Sequence, residues 1–140
     1  MIPTHIVIHH SATATDITAQ QIREEHLKRG WDDIGYHFVI AVDGSIEKGR
    51  NEDVVGAHAL GINQHSLGIC CIGNFQIHDI PHAQLAALQT LVEELSLRYS
   101  IPAAQIIGHC DVTCEERGGR RSQCPGKFLY EKMSSIRQPR

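Results

Sequence analysis

The chain has 140 residues, with 13 Lys and Arg against 16 Asp and Glu, a formal charge of −3. At 41% hydrophobic and 21% charged residues it has the composition of one globular domain, long enough to fold without staples and unlike a disordered chain. No apolar run reaches the roughly 18–20 residues of a membrane span, and the mild acidity disfavours nucleic acid, whose phosphates need clustered Lys and Arg.

His5-Ile6-Val7-Ile8-His9 reads as a buried strand, broken by the small polar run from Ser11 to Thr15. Thr18 and Gln21 have capping-box spacing and start a helix that runs through Ile22 and Leu27 and stops at Gly30. Tyr36 to Val42 is the next strand, and Asp43-Gly44 is a two-residue hairpin signal that returns the chain through Ser45-Ile46-Glu47. Leu67 to Ile72 is almost continuously apolar, as in a central strand covered on both faces. Pro81 fits the first turn of a long helix in which Leu85, Leu88, Leu91, Val92 and Leu95 share one face. Gln105-Ile106-Ile107 forms a last short strand leading to Gly108-His109, Cys110 to Gln123 is loop, and Lys127 to Met133 is a short terminal helix. No repeat, linker or composition break interrupts the chain. The expected architecture is a single α/β domain over residues 1–140, a central mixed β-sheet flanked by helices.

Ten histidines outnumber the seven aromatic residues, and the five cysteines are an odd number. Met1 to His5 lacks the basic stretch and apolar core of a signal peptide. Cytoplasmic synthesis is therefore expected, with thiol or metal chemistry rather than a disulfide framework. His9, His109 and Cys124 each fall at or beyond a strand end, where a rigid sheet can aim side chains at one point. Two imidazoles and a thiolate are good Zn²⁺ donors, and three ligands leave the fourth tetrahedral position open to water. The competing reading makes His9 a strand cap and Cys124 a buried thiol.

Six segments in register resemble one family. They are Ile8-His9-His10-Ser11-Ala12-Thr13, then Gly30-Trp31-Asp32-Asp33-Ile34-Gly35-Tyr36-His37-Phe38, and Asp43-Gly44 with Gly49-Arg50. Val55-Gly56-Ala57-His58-Ala59 with Asn63 to Ile69, Gly108-His109-Cys110-Asp111-Val112, and Cys124-Pro125-Gly126-Lys127-Phe128 complete the set. Together they resemble the zinc-dependent N-acetylmuramoyl-L-alanine amidases, which include phage lysozymes and the peptidoglycan recognition proteins. The resemblance implies metal ligands at His9, His109 and Cys124, with His10 excluded, and strand alternation agrees that the two rings of the pair part. It also implies a Tyr36 hydroxyl beside the metal and a catalytic position at Ser122. The implied reaction is hydrolysis of the amide between the lactyl group of N-acetylmuramic acid and L-alanine, and the implied cofactor is Zn²⁺, whose bound water has a pKa near roughly 7.

Three departures from the family pattern stand out. Ser122 replaces the Lys or Thr of the two main branches, leaving only a neutral hydroxyl to help an oxyanion. The segment from Cys114 to Arg121 reads as an insertion. Cys70 stands where the branch that recycles wall fragments has a Glu base. These differences favour the phage or recognition branch and leave the general base open.

His58 and His37 are the candidate substrate-binding histidines. For His58 a groove role is weighed evenly against a backbone hydrogen bond; for His37 a structural role is favoured, since it should face away from Tyr36. His26 reads as a partly buried packing residue, and Cys70 and Cys71 as inert core thiols. Cys110 and Cys114 with His109 and Cys124 could instead close a structural zinc knob, with Arg117, Arg120 and Arg121 in a solvated loop. The expected partner is peptidoglycan or a muropeptide, with no nucleic acid, no membrane and a monomeric state, acting at the cell wall if the protein is a lysin. The competing functions are a muropeptide-recognition module without turnover and a thiol hydrolase built on Cys124 or Cys110.

Overall fold

A computed structural model describes residues 1–113 and 121–138. Among these, five strands form one sheet: β1 (His5–His10), β2 (Phe38–Ile40), β3 (Ile46–Lys48), β4 (Ser66–Cys71) and β5 (Ile106–Gly108). The order is β3-β2-β4-β1-β5, parallel throughout except for the antiparallel β2–β3 hairpin. The mixed sheet expected from the sequence is therefore present. Helix α1 (Ala19–Lys28) links β1 to the hairpin and α2 (His82–Tyr99) links β4 to β5, as parallel pairing demands. Two short helices, α3 (Lys127–Tyr130) and α4 (Met133–Arg137), follow.

Alternation along β1 sorts the chain into two layers. Ile6 and Ile8 share one core with Leu67, Ile69 and Cys71 of β4, Leu88, Leu91 and Leu95 of α2, and Met133 and Ile136 of α4. On the opposite face Val39 and Cys70 pack with Ala19 and Ile22 of α1. Each fully buried Ile or Leu contributes about 1.5–3 kcal/mol relative to exposure, so β1, sealed on both faces, is a rigid base for the residues at its end. The buried Gln84 of α2 donates from Nε2 to the carbonyls of Ile40 and Ile72, both at 2.9 Å, satisfying backbone acceptors where β2 and β4 finish.

Several boundaries differ from the expectation. The Thr18–Gln21 capping box is formed, but Pro81 is the N-cap of α2 rather than a residue of its first turn. β2 covers three residues instead of Tyr36 to Val42. The amides of Gly49 and Arg50 donate in succession to the carbonyls of His37 and Tyr36, at 2.9 and 3.0 Å. A regular antiparallel ladder bonds only alternate pairs, so the regular strand begins only at Phe38. The terminal helix divides into α3 and α4, and a single 3₁₀ turn (His109–Asp111) opens the segment expected to be loop. No helix among the described residues is long and apolar enough to cross a membrane. Cys114, Arg117 and Arg120, and with them most of the expected insertion, lie outside the described residues.

Candidate metal centre and active site

His9 is the fifth residue of β1 and only 1% exposed, on the α1 face of the sheet. His109 follows β5 directly, and Asp111 accepts the Gly108 amide at 3.0 Å to fix that turn. Cys124 arrives on the turn before α3. The His10 amide donates to Cys124 Sγ at 3.3 Å, and the Cys110 amide to the Cys124 carbonyl at 2.7 Å. Gly126 completes this turn at φ +91°, where a Cβ would sit 2.5 Å from the Phe75 carbonyl carbon, so only glycine lets the chain pass.

One donor atom from each of His9, His109 and Cys124 lies within 4.8 Å of the others. The cysteine sulfur is 3.6 Å from His9 Nδ1. Two imidazole nitrogens and one sulfur at this spacing are a borderline-soft set suited to a tetrahedral divalent ion such as Zn²⁺. Burial, followed by the neighbouring His58 and His109, holds the His9 imidazole well below its ordinary pKa, so it is neutral, the form that binds metal. Burial likewise pushes the Cys124 thiol up to about 12, so a bound ion has to displace its proton. Cys110, half-buried, is not part of this cluster. The fourth partner of a closed knob, Cys114, lies outside the described residues.

His10 turns to the other face. Its Nδ1 accepts the Phe75 amide at 3.1 Å, so the pair parts as alternation requires. Tyr36 sits with its ring 5.1 Å from that of His9 and 5.6 Å from that of His26. Burial raises its phenol pKa well above the ordinary value, keeping a neutral O–H that can donate. Arg50 explains why the Gly-Arg pair accompanies this tyrosine. Its guanidinium donates to the carbonyls of Ile34 at 2.9 Å and Val55 at 2.8 Å, tying the Tyr36 segment to the loop that carries His58.

His9, Tyr36, His58, His109, Ser122 and Cys124 all line one open cavity of about 430 Å³. Ser122 Oγ accepts the Cys124 amide at 3.0 Å, so this hydroxyl shapes the cysteine turn and still has its own proton to donate. His58 Nδ1 lies 2.9 Å from His9 Nε2. The other side of that ring approaches Ser66 Oγ at 3.3 Å and the Ser66 carbonyl at 3.4 Å. Gly68 makes room for it, since a Cβ there would come within 2.5 Å of His58 Cγ.

His37 is the exception among the candidate residues. It is 0% exposed, outside the cavity wall, accepting the Gly68 amide at Nδ1 (3.0 Å) with Nε2 2.7 Å from the Val54 carbonyl. Both ring nitrogens meet backbone groups, so His37 ties β4 to the 50s loop. The cavity wall also holds residues to which sequence reasoning gave no part in the site, among them His26, Arg29 and Trp31. His26 is buried and accepts the Gly35 amide at 2.8 Å. The Arg29 guanidinium lies 5.3 Å from the Trp31 ring centroid, over its face. The signal available was the Gly30 stop, which places Arg29 and Trp31 on either side of a helix end.

A sequence profile of the N-acetylmuramoyl-L-alanine amidase family matches residues 1–127. The chain belongs to the N-acetylmuramoyl-L-alanine amidase family. The endolysin of Klebsiella phage KP32 is 39% identical to this amidase over 116 residues, covering 78% of the chain and 76% of the endolysin. A peptidoglycan-recognition protein of Drosophila simulans is 34% identical over 142 aligned positions, 95% of the amidase and 74% of the relative. Among solved structures, the endolysin N-acetylmuramoyl-L-alanine amidase LysCS of Clostridium intestinale superposes with a TM-score of 0.83. It is 35% identical, with 96% of this chain and 83% of that one covered. Fold, helices and mixed sheet are those of the family.

Proposed function

We propose that the protein is a zinc-dependent endolysin that cuts the amide between N-acetylmuramic acid and L-alanine in peptidoglycan. The observation that carries this reading is the convergence of His9, His109 and Cys124 in a cavity that Tyr36 also lines. The donor set fits Zn²⁺, which when bound polarises a carbonyl and acidifies water. His9, His109 and Cys124 would hold it.

The remaining chemistry belongs to the chain. The Tyr36 hydroxyl, neutral because it is buried, donates to the carbonyl oxygen as negative charge builds there, and a preorganised donor of this kind supplies about 3–4 kcal/mol. Ser122 steadies the cysteine turn through the Cys124 amide and can present its hydroxyl proton to the same oxygen. Arg29 stacked over Trp31 gives the wall a cation against which an acidic stem peptide can lie.

The test is turnover of a synthetic N-acetylmuramoyl pentapeptide, with free pentapeptide and intact sugar identified by mass spectrometry. Chelation should abolish release, and Zn²⁺ should restore it. Tight muropeptide binding without release of peptide would overturn the enzyme reading in favour of a recognition module, and activity indifferent to chelation would favour a thiol hydrolase.

A further inference from the structure

The contact between His58 and His9 carries more than packing. Ser66 Oγ donates its single proton to the Ile62 carbonyl at 2.8 Å, so towards His58 it offers lone pairs only. The Ser66 carbonyl is an acceptor as well. His58 Nε2 therefore faces two acceptors, at 3.3 and 3.4 Å, and the ring satisfies them only with its proton on Nε2. His58 Nδ1 is then bare and accepts, so the proton in the 2.9 Å contact belongs to His9 Nε2. A neutral imidazole has one N–H, which leaves the His9 Nδ1 lone pair free, aimed at Cys124 Sγ at 3.6 Å.

We infer that Ser66, His58 and His9 form a tautomer relay, in which His58 is a positioning residue that fixes Nδ1 of His9 as the metal-binding atom. The relay is anchored at each step. Asn63 Oδ1 accepts the amides of both His58 and Ala59 at 2.9 Å, holding the His58 backbone. The His37 ring meets His58 edge-on, with centroids 5.7 Å apart, and bars rotation on that side. The glycine at 68 provides the bed on which the ring lies. Metal-ligating histidines usually direct their second nitrogen to a carboxylate, carbonyl or water; here a second histidine takes that place, its own tautomer set by backbone and hydroxyl oxygens. No net charge is added behind the ligand, so the donor set keeps the two-imidazole, one-thiolate charge balance. This inference rests on the metal assignment above but not on the reaction.

Two measurements test it. In the metal-free parent, long-range ¹H–¹⁵N correlation spectra should show His9 and His58 both as Nε2–H tautomers. A His9 proton on Nδ1 would overturn the relay, with no variant needed. Zinc affinity is then compared by chelator competition in the parent, His58→Asn and His58→Leu. The asparagine oxygen can occupy the place of Nδ1 and accept, so His58→Asn should stay within about 3-fold of the parent. His58→Leu should weaken binding by about 10–100-fold, with His9 distributed over both tautomers. Equal zinc affinity in the parent and His58→Leu would overturn the inference and leave the metal site standing. A parent that takes up no zinc would instead remove the metal assignment, and the tautomer spectra would still decide the relay.

Discussion

The His10 amide points at Cys124 Sγ from 3.3 Å, so the residue beside one proposed metal ligand helps hold another. The sulfur is thereby tied to β1, the strand buried on both faces, although it reaches the site on a turn more than a hundred residues away. Elemental analysis should find about one zinc per parent chain. His9→Ala and Cys124→Ser should each lower zinc retention by more than about 100-fold. Full zinc in either variant would exclude that residue as a ligand.

Tyr36→Phe removes one hydroxyl from the cavity while keeping the ring against His9 and His26. Turnover should fall by about 10²–10³-fold with zinc content and muropeptide affinity preserved. Loss of zinc in parallel with activity would reassign the phenol to holding the metal site.

His37→Leu should act on stability instead of substrate. The substitution strands the Gly68 amide and the Val54 carbonyl inside the protein, at a cost of about 1–3 kcal/mol. Urea unfolding should show this as a lower midpoint, and the KM for muropeptide should not change. A raised KM at unchanged stability would return His37 to the substrate site.

Glu52 gives the fold an acid-sensitive element away from the cavity. Burial pushes its carboxyl pKa up, but the Tyr99 hydroxyl at 2.7 Å, Arg98 and Lys48 outweigh this and hold it below the ordinary 4.5. A carboxylate with a lowered folded pKa stabilises the protein above its unfolded pKa, and that contribution is lost as pH falls through the folded value. Glu52→Gln should therefore cost about 1 kcal/mol at pH 7, and the gap from the parent should narrow below about pH 4. A difference that stays constant from pH 7 to pH 3 would show that the charge is immaterial.

Legibility in the sequence followed the range over which each physical cause acts. The Thr18–Gln21 cap and the opposed faces of His9 and His10 depend on neighbours within a few residues and could be read directly; the hairpin at Asp43-Gly44 could too, though Ala41 and Ser45 close a three-residue loop instead of two. The start of β2 could not, because it is set by the successive amides of Gly49 and Arg50, just past the partner strand. Assigning His9, His109 and Cys124 needed the family resemblance, since two strand ends and a distant turn make no local pattern. The His58 contact was invisible for a related reason: its meaning depends on Ser66 and Ile62 fixing a proton, and residue types alone do not specify hydrogen positions. Strand alternation turned His37 away from Tyr36 in the sequence, whereas the part played by the loop residue His58 emerges only from the groups around its ring.

The parallel pairing of β1 with β5, and the late arrival of the cysteine turn, have a consequence for biosynthesis. With the proposed ligand set, a polypeptide still on the ribosome short of position 124 owns two of the three donors, so the complete set forms only after the cysteine turn is made. Under the proposed assignment metallation would follow completion of the sheet, and a chain truncated before Cys124 would lack the third ligand.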